Sequence, residues 1–126
     1  MILSATLKIK KLSVTGTDPF TTHQNILVDV CKGAFGNSAL QPSDFQAAAS
    51  QDAIGAILNT PVENWYAVTL DKTALSYINL TGVTQFRLRF QIANNNDQGA
   101  DTIKFFSGDY SPSSNRPILQ VEYYVP

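Results

Sequence analysis

Charge is scarce in this chain. Only 15% of its 126 residues are charged, against about a quarter in an ordinary globular protein. Nine basic residues nearly cancel ten acidic ones. No basic stripe exists to attract a phosphate backbone, so nucleic acid is not an expected partner. Cys31 is the only cysteine, which rules out an intrachain disulfide. His23 is the only histidine, and Glu63 and Glu122 are the only glutamates. No sequence signature joins Cys31 to His23 as nucleophile and base, and no serine stands in a nucleophile-elbow context. The two glutamates lie in distant contexts and do not frame a cleft as a glycosidase pair must. No catalytic residue is therefore assigned, and the expectation is that the chain is not an enzyme. No apolar run reaches the length that crosses a bilayer, so no membrane insertion is expected. Met1-Ile2-Leu3 leads straight into alternating residues without a cleavage signal; an export signal, if the protein is exported, would lie upstream of this segment.

What the chain has in quantity is alternation. Leu3, Ala5, Leu7 and Ile9 interleave with Ser4, Thr6, Lys8 and Lys10, the period-two pattern of a strand with one wet face. Past Lys11 the apolar parity moves to Leu12 and Val14, which predicts a bulge or a switch between sheets. Ile26, Val28 and Val30 form a second row. Ala53 to Leu58 predicts a brief strand. Tyr66, Val68 and Leu70 share one face of a strand, with Trp65, Ala67 and Thr69 on the other. Phe86, Leu88, Phe90 and Ile92 oppose Gln85, Arg87, Arg89 and Gln91. Ile103 and Phe105 oppose Lys104 and Phe106, and Leu119, Val121, Tyr123 and Val125 oppose Gln120, Glu122 and Tyr124. Helix is confined to Pro42–Ala49, where proline suits a first turn, and to one turn near Thr73–Ile78. About seven strands at turn-punctuated spacing, without helical crossovers, predict two antiparallel sheets packed face to face. The fold class is all-β: one antiparallel β-sandwich domain over residues 1–126, with one or two short helical turns.

The stretch "YINLTGVTQFRLRFQIANNNDQGADTIKFFSGDY" and the ending "RPILQVEYYVP" resemble the C-terminal half of a DNRLRE-type domain. "ILSATLKIKK", "KGAFGNSALQPSDFQAAAS" and "NWYAVTL" are similar to that family's early strand and middle, so the resemblance runs over almost the whole chain. It implies a jelly-roll form of sandwich, similar to carbohydrate-binding modules, appended to secreted and surface proteins of bacteria and archaea. It also implies an extracellular or cell-surface location and a place as the C-terminal part of a larger exported protein. Members carry strands before the position of Ile2. The resemblance thus implies an edge beside Leu3–Ile9, to be filled by a missing N-terminal segment or by a strand donated from another chain.

Two kinds of site are expected. The first is a sugar-binding face, since an aromatic ring on the wet side of a strand is surface with a purpose. Trp65 is its centre, with Phe106, Tyr110 and Tyr124 as further aromatics. Arg87 and Arg89 would join Phe106 on one outer face if their strands form a hairpin around the Asn-rich loop. Polysaccharide is the expected ligand, and a purely structural spacer or assembly subunit, completed by strand donation, is the alternative. The second is a calcium loop: Asn94, Asn96, Asp97 and Asp101 offer side-chain oxygens ahead of and around Gly99. The position of the usual bidentate glutamate is Phe105, so this is no EF-hand, and a structural calcium would be its only cofactor. The plainer reading of the loop is a hairpin connection, because Asn, Asp and Gly tolerate left-handed backbone angles.

Overall fold

The structure, a computed structural model, describes residues 1–126. It is an all-β sandwich of two antiparallel sheets. The strands are β1 (Ile2–Gly16), β2 (Ile26–Lys32), β3 (Gln51–Ile57), β4 (Trp65–Thr69), β5 (Thr84–Phe90), β6 (Asp101–Phe105) and β7 (Ile118–Tyr123). One sheet runs β4-β1-β6, with β7 also paired to β1; the other is β3-β2-β5.

β1 organises the first sheet. Its first half lies between β4 and β7, and its second half pairs with β6 from Lys11 onward. The parity change after Lys11 is a register shift between Lys11 and Ser13, the bulge that the alternation predicts. Leu12 and Val14, on the shifted parity, nonetheless stay exposed. Only β6 pairs with β1 there.

Between the sheets lie Ala5, Leu7 and Ile9 of β1, Ile26, Val28 and Val30 of β2, Ile54 and Ile57 of β3, and Tyr66 and Val68 of β4. Each fully buried large side chain contributes roughly 1.5–3 kcal/mol relative to exposure. Phe20 stacks on Tyr66 with ring centroids 5.2 Å apart. It comes from α1 (Pro19–Thr22), whose first turn is capped by Asp18 accepting from the Phe20 amide. Gly55 permits the close approach of β3 to β4: a Cβ there would lie 2.6 Å from Val68 Cγ2.

Three expectations need correction. Pro42 does open a helical turn, but a 3-10 turn that ends at Phe45. The carbonyls of Asp44 and Ala47 accept from Arg87 Nη1, and that of Asp44 also takes the Ala47 amide as the turn ends. The segment around Asn94–Asp101 is not a hairpin, because β5 pairs with β2 and β6 with β1. It carries the chain from one sheet to the other. The edge expected beside Leu3–Ile9 is closed only in part: β7 covers one side of that stretch, and β4 covers the other from Thr6 onward. At the far end Tyr123 and Val125 are exposed, although their parity would place them with Leu119 and Val121.

Candidate functional site

Trp65 begins β4. The inward positions of that strand are taken by Tyr66 and Val68, and Trp65 therefore stands on the outer face, half-buried. Antiparallel pairing sets it opposite Lys10 of β1. On the other side of Lys10 the chain leaves β6, where the Phe106 amide donates to the Lys10 carbonyl at 3.0 Å. This pairing lines up three side chains across the sheet. Lys10 Nζ lies 5.9 Å from the Trp65 ring centroid and 5.8 Å from that of Phe106, within cation–π range, each contact worth about 0.5–1 kcal/mol at an exposed site. Phe106 in turn meets Tyr110 edge to face, with centroids 4.6 Å apart.

Polar groups hold the row. Lys10 Nζ donates to Asn115 Oδ1 at 2.9 Å. Arg116 Nε donates to the Tyr110 carbonyl at 2.6 Å. Ser107 donates to Asp109, and that bond, the largest cause, holds the Asp109 carboxyl below the usual carboxylate value. Beside the indole an open concavity of about 520 Å³ is lined by Lys8, Glu63, Ala67 and Ile118, among others. The face thus combines aromatic surface, a side-chain amide, carboxylates and a central cation.

Of the residues expected in a sugar site, Trp65, Phe106 and Tyr110 come together, and three do not. Tyr124 is exposed, but its backbone pairs with Met1 at the start of β1, whereas Lys10 lies mid-strand. Arg87 and Arg89 belong to the other sheet. They do not share a face with Phe106, because the hairpin that would have joined them does not form.

The two arginines instead close on a buried acid. Asp29 of β2 is fully buried. It accepts from Arg87 Nε at 2.8 Å, Arg89 Nε at 2.9 Å, Arg89 Nη2 at 3.2 Å and the Ala53 amide at 2.8 Å. Burial pushes its carboxyl up, but the bonds from Arg89, Ala53 and Arg87 prevail and leave it below the ordinary value of 3.8. The same bond to Asp29 raises Arg89. Arg87 also stacks over the Phe35 ring at 4.6 Å and reaches Asp52 at 3.2 Å. The segment from Phe35 to Ala47 therefore roofs the Arg87 part of this sheet's outer face.

The Asn-rich crossover is a series of side-chain turns. Asn94 Oδ1 accepts from the Asn96 amide and Asp97 Oδ1 from the Gly99 amide, while Asn96 and Gln98 take left-handed backbone angles. Asn95 Nδ2 donates to both Asp97 Oδ2 (3.0 Å) and Asp101 Oδ2 (2.8 Å), so an amide stands between the two carboxylates that a cation would bridge. No three His, Cys, Asp or Glu side chains converge for a metal ion. Asp101 Oδ1 is buried without a partner, but one such oxygen falls far short of the roughly six to eight that calcium takes. The residues do not fit a calcium site. Asp101 serves the junction instead, accepting from Thr22 at 2.9 Å with His23 Nδ1 at 3.5 Å. His23 precedes β2 and Cys31 lies at its far end, where its thiol donates to the Ala34 carbonyl.

Sequence reasoning missed Lys10 and Asn115 in the aromatic row and Asp29 beneath the arginines. Lys10 is outward by parity, but its place between Trp65 and Phe106 depends on the pairing of three distant segments. Asp29, also outward by parity, gives no local hint that a roof will cover it. No family model, curated protein or solved structure matches the chain.

Proposed function

We propose that the chain is a non-catalytic carbohydrate-binding module of an exported, cell-surface or extracellular protein, and that the Trp65–Lys10–Phe106–Tyr110 row is its binding face. The observation that carries this reading is the position of Trp65. The indole stands on the outer face of the four-stranded sheet, with an aromatic continuation across Lys10. The C–H faces of a pyranose ring are apolar and faintly positive, and an aromatic face is negative, so the two stack. The hydroxyl rim then pairs with planar or charged side chains such as Asn115, Glu63 and Lys8. A shallow open face suits a long polymer, with modest affinity at each sugar unit and avidity from repetition. The resemblance to DNRLRE-type domains agrees with this reading.

The test is affinity electrophoresis and calorimetry against a panel of neutral and acidic polysaccharides. Wild-type protein should be retarded by at least one of them. Trp65→Ala, checked for folding by circular dichroism, should lose that retardation, and Tyr124→Ala should keep it. Equal retardation of wild type and Trp65→Ala would remove the indole from the site, and no retardation across the panel would end the proposal.

A further inference from the structure

β5 has one partner and one bare side. It pairs with β2 without interruption from Phe90↔Ile26 to Thr84↔Lys32, and no strand lies on its other flank. In an antiparallel pair, hydrogen-bonded and non-bonded residues alternate. The Gln91 amide donates to the Asn25 carbonyl and the Gly33 amide to the Val83 carbonyl, which places the odd-numbered residues of β5 against β2. The backbone N–H and C=O groups of Phe86, Leu88 and Phe90 therefore face outward in a row.

Natural edges are blunted by charged side chains, proline, a bulge or a covering loop. β5 has neither proline nor bulge, and its register is unbroken. Its two arginines turn to Asp29 on the outer face, while Leu40, Gln41 and Asp44 border the groove beside it. β3, the opposite edge of the same sheet, has its register to β2 shifted between Val28 and Val30, and Ala53 is left-handed. The core beneath β5 is unfinished as well. Val28 and Val30 of β2 are fully buried, yet the inward row Phe86, Leu88 and Phe90 one strand away is only half-buried. Between β5 and β1 runs an apolar groove of about 570 Å³. Leu7 and Ile9 form its floor, and Phe86, Leu88 and Phe45 line it.

A row of amides and carbonyls above a groove spaced for alternate side chains suits an extended peptide. The charges define it further. Every nitrogen of Arg87 has an acceptor, whereas Arg89 spends Nε and Nη2 on Asp29 and its side chain is 37% exposed. A strand laid on this edge would set an outward residue beside Arg89, where an acidic side chain is complementary. A second copy fits badly. Three antiparallel registers pair at least five of the seven β5 residues with a second β5. The fullest of them sets Arg87 against its own copy and another sets it against Arg89, where like charges directly opposite one another are destabilising.

We propose that the free edge of β5 accepts an extended strand of a partner polypeptide by β-augmentation. The incoming strand has apolar side chains at alternate positions that enter the groove over Leu7 and Ile9, and an acidic residue between them beside Arg89. The proposal is independent of the aromatic row, which lies on the outer face of the other sheet.

The experiment is selection of random dodecapeptides displayed on phage against the immobilised chain, followed by synthesis of the enriched sequence. Enriched peptides should alternate apolar residues with polar ones and contain an acid. Binding should slow hydrogen exchange at the Phe86, Leu88 and Phe90 amides at least tenfold. N-methylation of the peptide amides of one alternate set should weaken binding tenfold or more, while methylation of the other set leaves it unchanged, a contrast that leaves the protein untouched. Leu88→Pro, which removes an edge N–H but no bond to β2, should bind at least tenfold more weakly than Leu88→Ala. Failure to enrich any alternating peptide, or equal tolerance of both methylation patterns, overturns the proposal. So does concentration-dependent protection of the same amides without peptide, the outcome expected of a second copy. Loss of polysaccharide binding with peptide binding intact would overturn only the sugar-binding face.

Discussion

The two outer faces of the sandwich began from similar sequence patterns and ended as opposites. On the four-stranded sheet, Trp65, Lys10 and Phe106 stand in a row open to solvent, bordered by a concavity. On the three-stranded sheet, Asp29, Arg87 and Arg89 also point away from the core, yet the Phe35–Ala47 segment covers Arg87, and Asp29 is fully buried between the two arginines. Outward from the core is thus not the same as exposed. A charge under a roof is a structural commitment, because a buried ion must be paired and hydrogen-bonded. An aromatic without a roof is available to a ligand.

The contrast can be broken most forcefully at Asp29. Asp29→Ala leaves Arg87 and Arg89 without their shared acceptor, and should lower stability by about 3–5 kcal/mol in urea unfolding. A loss below about 1 kcal/mol would mean that water reaches the cluster and the roof is loose. Trp65→Ala should act the other way: polysaccharide affinity falls at least tenfold, while stability falls by only about 1–2 kcal/mol, since the side chain is half-buried. A greater loss of stability with unchanged binding would make the two faces alike in kind.

Acid should sharpen the same comparison. The folded-state pKa of Asp29 is depressed, so its contribution to stability is fully present above the ordinary value of 3.8. It is lost as pH falls through the lower folded-state value. Urea midpoints measured from neutral pH into this acid range should fall for the wild type, and fall less for Asp29→Asn, which has no carboxyl to titrate. Identical slopes in the two proteins would show that the carboxyl gains nothing from the arginines. The smallest effect is expected at Tyr124, exposed and remote from Lys10. Tyr124→Ala should change stability by no more than about 0.5 kcal/mol and leave polysaccharide retardation as it is.

Much of the fold was legible because alternation is a local property. The rows Ile26-Val28-Val30 and Tyr66-Val68-Leu70 are all buried, and the bulge past Lys11 lies where the parity changes. The outward position of Trp65 could be read the same way. What misled was connection. The Asn-rich segment has the composition of a hairpin turn, since its residues favour the turn angles that they do adopt, but turn chemistry does not say which sheet the next strand will join. The wrong hairpin placed Arg87 and Arg89 beside Phe106 and hid their bond to Asp29. It also took carboxylates that brace a junction for calcium ligands. How far the edge beside β1 is closed was hidden for a related reason: it depends on pairings across more than a hundred residues, such as that of Ser4 with Glu122.

By itself, then, the sequence determined the strands, the side of each that faces inward, the absence of a disulfide and the scarcity of titrating groups. These follow from a two-residue repeat and from composition, which need no partner to be expressed. Only the tertiary structure decided which strands share a sheet, that Lys10 lies between two aromatic rings, that one outer face is roofed over an ion cluster, and that β5 is left with a bare edge. Each of these depends on backbone hydrogen bonds between residues far apart in the chain, and a pattern of period two is the same whichever neighbour a strand finds.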